Sequence, residues 1–541
     1  MDRIPARAYH SYPMSDLIHE FIFASARRAP AAEALVHGQR RLDYAALAQA
    51  VRGAADALLA AGLARGERVA VYMEKNVENV AAMFGAAAAG GVFVPINPLL
   101  KPEQVAYILA DCDVRVLVTS ADRLRLLAPG LAPCPGLAMV IAVGGAGAAL
   151  PEVPGVSVLG WDSALAAPPG VAPHRVIDGD MAAILYTSGS TGKPKGVVLS
   201  HRNLVAGAVS VAGYLENTAD DRILAVLPLS FDYGLSQLTT AFHVGATAVL
   251  LNHLLARDVL KAVVAERITG LAAVPPLWLQ VAPLDWPADC TLRYLTNSGG
   301  AMQRPTLDAL RRALPNARPY LMYGLTEAFR STYLPPDQLD RRPDSMGKAI
   351  PNAEVLVLRP DGSECDAGEP GELVHRGALV SLGYWNDPAK TAERFKPYPA
   401  APGLAPTEMA VWSGDTVRRD DEGYLYFISR NDEMIKTSGY RVSPSEVEEV
   451  VYARGRVAEA AAIGVGHPAL GQAIVVIAQA RPGLALTAAE LLAACKPHLP
   501  AYMLPQRVVL VEDSLPRNPN GKIDRKLLGL LYATVFTEPQ P

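Results

Sequence analysis

Cysteine, aromatic residues and charge are all scarce in this chain of 541 residues, and each scarcity removes a class of protein. The five cysteines (Cys112, Cys134, Cys290, Cys365, Cys495) are scattered and form no C-x-x-C pair. They argue against a disulfide framework or a zinc site and read as small buried hydrophobes in a reducing compartment. Charged residues make up 19% and the net charge is -4, which gives no electrostatic case for nucleic acid or an anionic membrane surface. No apolar run reaches a spanning length: the most membrane-like stretch, Val80 to Pro95, is mainly alanine and glycine and predicts a buried helix running into a strand. Residues 1–13 are polar, lack the apolar core of a signal peptide and are expected to be disordered, with Met14 a plausible alternative start. A cytoplasmic protein is the expectation.

What the chain does have is hydrophobic content, half of all residues, and length enough for two to four domains. Its organising stretch runs from Tyr186 to Val197, Tyr-Thr-Ser-Gly-Ser-Thr-Gly-Lys-Pro-Lys-Gly-Val. The apolar run Met181 to Leu185 leads in as a buried strand; Val197 to Leu199 leads out, followed by a helix with Ser200 as N-cap. Glycines let a backbone turn its N–H groups around an anion, hydroxyls add donors, and lysines add charge. Such a loop suits a polyphosphate. A Walker A loop would need Ser or Thr after Gly192-Lys193, where Pro194 stands. A flexible Gly/Ser surface loop is the bland alternative.

Before this loop, strands (67–73, 91–96, 114–119) alternate with helices (77–89, 102–110), a pattern of parallel sheets with helices on their faces. Residues 121–175 are rich in Ala, Gly and Pro and carry no clear pattern; Gly145-Ala146-Gly147 lacks the rest of a dinucleotide fingerprint and reads as a loop. After it, the run Ile223 to Pro228 leads to Phe231-Asp232-Tyr233-Gly234, where Asp232 is a helix cap or a pocket group. A strand at 292–295 closes on Thr296-Asn297-Ser298-Gly299-Gly300-Ala301, whose glycines would let a flat ring approach the backbone. Helix 305–314 and Tyr323-Gly324-Leu325-Thr326-Glu327 follow. From about 345, short strands and turn signals suggest a small β-barrel or distorted sheet. The last hundred or so residues predict two helices on a three-stranded sheet, with capping boxes at Ser443-Pro444-Ser445-Glu446 and Thr487 to Glu490.

The phosphate-loop sequence resembles that of the AMP-forming adenylate ligases: acyl-CoA synthetases, amino-acid adenylation domains and luciferases. The later motifs Gly383-Tyr384-Trp385-Asn386, Trp412 to Asp415, Arg430 to Gly439 and Asn518-Pro519-Asn520-Gly521-Lys522 are similar to that family's in the same order. The resemblance implies an α/β fold: a large N-terminal domain of helix-flanked sheets with a small β-barrel (residues 14–431), then a hinged α+β domain (432–541). It implies ATP and Mg2+ as cofactors. Thr187, Ser188, Gly189, Ser190, Thr191, Gly192 and Lys195 would cradle phosphates; Gly299, Gly300, Ala301, Tyr323 and Gly324 would flank adenine. Thr326 would touch phosphate, Glu327 would help hold the metal, and Asp415 and Arg430 would meet the ribose. Lys522 would reach the substrate carboxylate, Asp432 would be the pivot, and Lys436 and Gly439 would lie on the thiol side. Phe231, Asp232, Tyr233 and Ser298 would line the acid's pocket. A Phe-Asp pair is typical of amino-acid adenylation domains, where the carboxylate meets a substrate ammonium; capping or a water-facing position stays open for Asp232. The stretch after Lys522 is too short for a carrier domain, so the expected thiol is coenzyme A or the phosphopantetheine of a free-standing carrier protein. The stretches around Asp232 and Glu327 resemble stand-alone prolyl-carrier ligases and the acyl-CoA ligases of exosortase A systems. A medium or long-chain fatty acyl-CoA synthetase, a luciferase-like oxygenase and a non-catalytic nucleotide-binding protein are the alternatives. Monomer and homodimer are both left open.

Overall fold

The computed structural model of the chain describes residues 16–131, 134–145, 149–166, 171–187, 193–399, 407–430, 434–453, 455–481, 483–517 and 523–536. Among them the strands form four sheets. The first has seven strands, six of them parallel (Ser157–Gly160, Met139–Val143, Val114–Ser120, Arg68–Tyr72, Val92–Pro95 and Met181–Thr187), with Lys195–Ser200 antiparallel at the edge. The second has nine, its parallel centre made of Arg222–Ala225, Thr247–Leu250, Gly270–Ala273, Tyr294–Asn297 and Arg318–Tyr323.

Helices Val77–Ala89 and Asp232–Val244 pack together in the principal core, each buried nearly all round. Burial on every side explains why neither shows a polar face. Phe84 and Phe242 meet edge to face across them, 5.4 Å between ring centroids at 77°. Small side chains set the spacing: a Cβ on Gly85 would stand 2.7 Å from the Cβ of Ala54 in the neighbouring helix Tyr44–Ala60. Both buried helices end on a left-handed glycine, Gly90 and Gly245. The alanine-rich run is thus the buried helix its composition predicts, and no helix among the described residues is long and apolar enough to cross a membrane.

The described residues within 121–175 carry more regular structure than their composition suggests. They supply helix Ala121–Leu127, capped by the Ser120 side chain, and two parallel strands, Met139–Val143 and Ser157–Gly160, at the edge of the first sheet. A short edge strand can be assembled from tertiary pairing without a strong local pattern of its own.

The third sheet is antiparallel and distorted. Glu372 and Val374 of Gly371–Gly377 pair along the long Thr407–Arg419 strand with a register shift, and that strand also pairs with Phe395–Pro399 near its start and with Leu425–Arg430 near its end. The fourth sheet has five strands where three were expected: Val457–His467, Gly471–Ala480 and Arg507–Val511, plus the hairpin Ile435–Thr437 and Tyr440–Val442. The hairpin hid in a polar stretch that reads as a hinge. Three helices lie with this sheet, Pro444–Tyr452, Ala488–Cys495 and Arg525–Leu531.

This last unit leans on the first. Gln104 donates to Glu446 Oε1 at 3.0 Å, and Phe231 meets the ring of Tyr440 edge-on at 5.1 Å. Tyr440 itself stacks on Tyr502 at 3.8 Å. The capping box expected at Ser443 does not form: Ser443 is the N-cap with Pro444 behind it, yet its side chain accepts no capping hydrogen bond. The reason is visible at Glu446, which is engaged by Gln104 instead of reaching back. The box at Thr487 and Glu490 forms as predicted.

Candidate active site

The strands on either side of the phosphate-loop candidates pair antiparallel. Tyr186 and Thr187 pair with Gly196 and Lys195, while Ser188, Gly189, Ser190, Thr191 and Gly192 lie outside the described residues, as do Asp432 and Lys522. Ser200 caps the following helix, His201–Tyr214, in a box with Asn203. The outer edge of Lys195–Ser200 is covered by residues 382–385. The Val198 N–H donates to the Gly383 carbonyl at 2.9 Å, Trp385 N–H to Gly196 at 2.7 Å and Leu382 N–H to Val198 at 2.9 Å.

That seam delivers Tyr384 to these strands. The Lys195 ammonium lies 5.5 Å from its ring centroid, and the Tyr384 hydroxyl donates to Glu327 Oε1 at 2.7 Å. Lys195 is half-buried; burial, then the neighbouring Lys390, hold its ammonium below the usual lysine range. An incoming anion would restore it. Glu327 is 9% exposed, and its Oε2 is buried with no hydrogen-bond donor. A bare, buried carboxylate oxygen suits Mg2+, which takes one or two protein carboxylates and completes its shell with phosphate and water. Among the described residues no cluster of three or more His, Cys, Asp or Glu could hold a metal by itself.

Tyr323 closes its strand with the ring roughly parallel to that of buried His375, 6.2 Å away, and its hydroxyl donates to Asp415. Asp415 is fully buried and stands opposite Arg430 in the register of adjacent strands. Beyond Gly324 the chain makes the short turn Thr326–Ala328, with Thr326 half-buried, and then Phe329 takes φ 52°. A non-glycine residue holds that conformation only under tight packing. Its ring fills the space where a Cβ on Gly207 would lie, 2.3 Å away.

Phe231 is the N-cap of helix Asp232–Val244, and Asp232 is its first residue. The Asp232 carboxylate lies 3.9 Å from Arg330 Nη1. Burial pushes its titration up; Arg330 pulls it down, and Glu327 nearby adds to the upward push. The Tyr233 hydroxyl shares a hydrogen bond of 2.6 Å with Thr296 Oγ1, and the Arg330 guanidinium lies 4.3 Å from the Tyr233 ring centroid. The strand here is Tyr294–Asn297, two residues later than expected, so Thr296 belongs to the sheet and not to the loop. Ser298 is buried, Ala301 is exposed, and Asn297 Nδ2 donates to the Gly300 carbonyl at 2.9 Å.

The glycines of the two domains meet. Gly299 has φ 81°, and a Cβ there would lie 3.9 Å from the Gly439 carbonyl oxygen. Gly439, at the hairpin turn with φ 82°, would press a Cβ to within 2.9 to 3.0 Å of three Val274 atoms. Lys436, on the same hairpin, has its ammonium 5.7 Å from the Phe427 ring centroid. Sequence reasoning therefore missed the roles of Arg330, Tyr384 and Thr296 in joining these groups. A lone arginine between Ala328-Phe329 and Ser331-Thr332 was the available signal.

The family of AMP-binding enzymes matches residues 22–385, and its C-terminal domain matches residues 446–522. The L-proline--[L-prolyl-carrier protein] ligase of Pseudomonas fluorescens is 32% identical over 94% of this chain and 98% of that protein. The indoleacetate--CoA ligase of Aromatoleum aromaticum is 32% identical over 94% of this chain and 96% of its own length. A linear gramicidin synthase component from Brevibacillus parabrevis is 30% identical over 96% of this chain, which spans only 10% of that protein. Among solved structures, o-succinylbenzoate CoA synthetase of Bacillus subtilis is 25% identical, covering 94% of this chain and 97% of its own. Bound to its product analogue OSB-NCoA, a double mutant of that enzyme matches at a TM-score of 0.81. With the acyl-adenylate OSB-AMP the same enzyme matches at 0.67, at equal identity and coverage.

Proposed function

The chain belongs to the AMP-binding enzyme family, and with it to the AMP-forming ligases; from that membership we propose that it adenylates a carboxylic acid with ATP and passes the acyl group to a thiol. The observation that carries this reading is the meeting of Lys195 and Glu327 on Tyr384, beside the paired strands that flank the glycine-and-hydroxyl sequence.

In the first half-reaction the substrate carboxylate oxygen attacks the α-phosphorus of ATP. The bond to the bridging oxygen breaks, and pyrophosphate leaves with its electron pair. Thr187, the hydroxyls and glycines of residues 188–192, Thr326 and Lys195 hold the phosphates. Glu327 would hold Mg2+, which when bound neutralises phosphate charge. Asp415 and Arg430 receive the ribose, and Tyr323 with residues 299–301 flanks adenine. Lys522 stabilises charge on the carboxylate and α-phosphate. In the second half-reaction a thiol sulfur adds to the acyl carbon, AMP departs, and the thiol proton goes to solvent. No covalent enzyme intermediate is needed; positioning and preorganised charge do the work.

We assign the domain arrangement described above to the second half-reaction, with residues 432–541 turning about Asp432 between steps. The Gly439 hairpin against Val274 and the better fit to a product-analogue complex than to an acyl-adenylate complex support that assignment. Coenzyme A or a carrier-bound phosphopantetheine is the thiol, and the relatives' names include both acceptors. Exchange of labelled pyrophosphate into ATP, screened across acids with the thiol withheld, tests the whole reading; absence of acid-dependent exchange with every acid refutes it. Lys522→Ala should abolish exchange and spare thioester formation from supplied acyl-AMP.

A further inference from the structure

His375 stands where the fold would seat an aliphatic side chain. It lies within strand Gly371–Gly377, opposite Val355 on one neighbouring strand and Val411 on the other, and is 1% exposed. Neither of its ring nitrogens has a hydrogen-bond partner among the described residues. Burial alone depresses its titration to about 3, so the ring is neutral at any working pH. A buried imidazole with both nitrogens bare costs stability that a valine or leucine would not. Sequences keep such locally unfavourable choices chiefly where function requires them.

The ring partner of His375 is Tyr323. The two planes lie within 16° of parallel with centroids 6.2 Å apart, inside the range of offset stacking. Tyr323 ends a strand of the second sheet, whereas His375 and Asp415 both belong to the third. The third sheet therefore holds Tyr323 twice, through its hydroxyl on Asp415 and through the plane of His375. The hydroxyl bond fixes the tip of the ring but leaves it free to turn about its long axis. A flat neighbour restricts that turning, and an aliphatic one would not. Resting on the adenylating function proposed above, we propose that His375 is a positioning residue for the nucleotide, fixing the Tyr323 ring as the plane on which adenine stacks. A ring already oriented gives up little freedom when a base settles on it, so the gain appears in nucleotide affinity and not in the chemical step. The bare nitrogens bind nothing in this account. They follow from seating the smallest flat side chain at this position.

The test is pyrophosphate exchange with the full chain carrying His375→Leu, with KM measured separately for ATP and for the acid that supports exchange best, beside thermal unfolding. The expected result is a KM for ATP raised roughly three- to tenfold, the range of one stacking contact, with kcat and the acid's KM unchanged and an unfolding temperature equal or higher. Tyr323→Leu should raise the same KM, and adding His375→Leu to it should raise it no further, because the histidine acts only through the tyrosine. An unchanged KM for ATP, equal rises for ATP and acid, a His375→Leu protein that unfolds earlier than the parent, or full additivity with Tyr323→Leu each overturns the assignment of His375 and leaves the adenylating function standing. No exchange with any acid overturns the function itself, and this inference with it.

Discussion

Two aspartate–arginine pairs in the second half of the N-terminal region share burial and differ in how fully each carboxylate is hydrogen-bonded. Asp221 is buried and saturated: Arg293 donates to both its oxygens at 2.8 and 3.2 Å, and Thr269, Asn217 and the Thr218 N–H donate as well. These donors outweigh burial and hold its carboxyl below the usual range. Asp232 faces Arg330 without a hydrogen bond, and burial pushes its carboxyl up. The contrast recurs two residues apart on one helix. Glu448 takes hydrogen bonds from Arg525 and the Ala462 N–H, whereas Glu446 has Gln104 alone and one bare oxygen. Saturated pairs hold the fold; under-partnered ones mark places where a ligand or a neighbouring domain has still to arrive or leave.

The contrast can be broken most severely at Arg293. Arg293→Met strands a buried carboxylate and should cost about 3–5 kcal/mol in urea unfolding, with the specific activity of the folded fraction kept. If stability barely moves, saturation is not what separates the pairs. Next comes Glu446, whose carboxyl burial lifts to about 7. A raised carboxyl pKa means the docked arrangement takes up a proton. Docking is therefore unhindered below the free value near 4.5, weakens as pH rises by up to about tenfold per unit, and levels off above about 7. Thioester formation from supplied acyl-AMP should carry that slope, and Glu446→Gln should flatten it. Gly439→Ala combines a left-handed φ with contact on Val274; a strain of about 1–3 kcal/mol should slow the thiol step and leave pyrophosphate exchange unchanged. The smallest stability effect belongs to Asp232→Asn, under about 1 kcal/mol because its pairing is so weak, while activity on an amino-acid substrate falls sharply. A loss of stability equal to that of Arg293→Met would erase the distinction between the two pairs.

Much of the fold was legible because local signals and tertiary structure agreed. Helix 77–89 was read to the residue, since Asn76 caps it and Gly90 ends it. Ser200 and Thr487 act as the N-caps their sequences advertise. What stayed hidden depended on partners distant in the chain. Met139–Val143 and Ser157–Gly160 are strands only because neighbours complete the sheet, and Glu446 abandoned its box because Gln104 stood across a domain boundary. At the site, family motifs marked Glu327 and Asp415 as types of residue, but nothing in the order of residues could join Glu327 to Tyr384 or Asp232 to Arg330.

The seam of residues 382–385 along Lys195–Ser200 has a mechanical corollary. Three main-chain hydrogen bonds stitch that strand to a segment that runs on into helix Pro388–Arg394 and the third sheet. The Lys195–Ser200 strand therefore cannot shift alone: any movement of it must either unzip that stitching or tow the adjoining segment along. Deuterium uptake at the Val198, Leu382 and Trp385 amides should consequently rise and fall in concert as ATP is added and withdrawn.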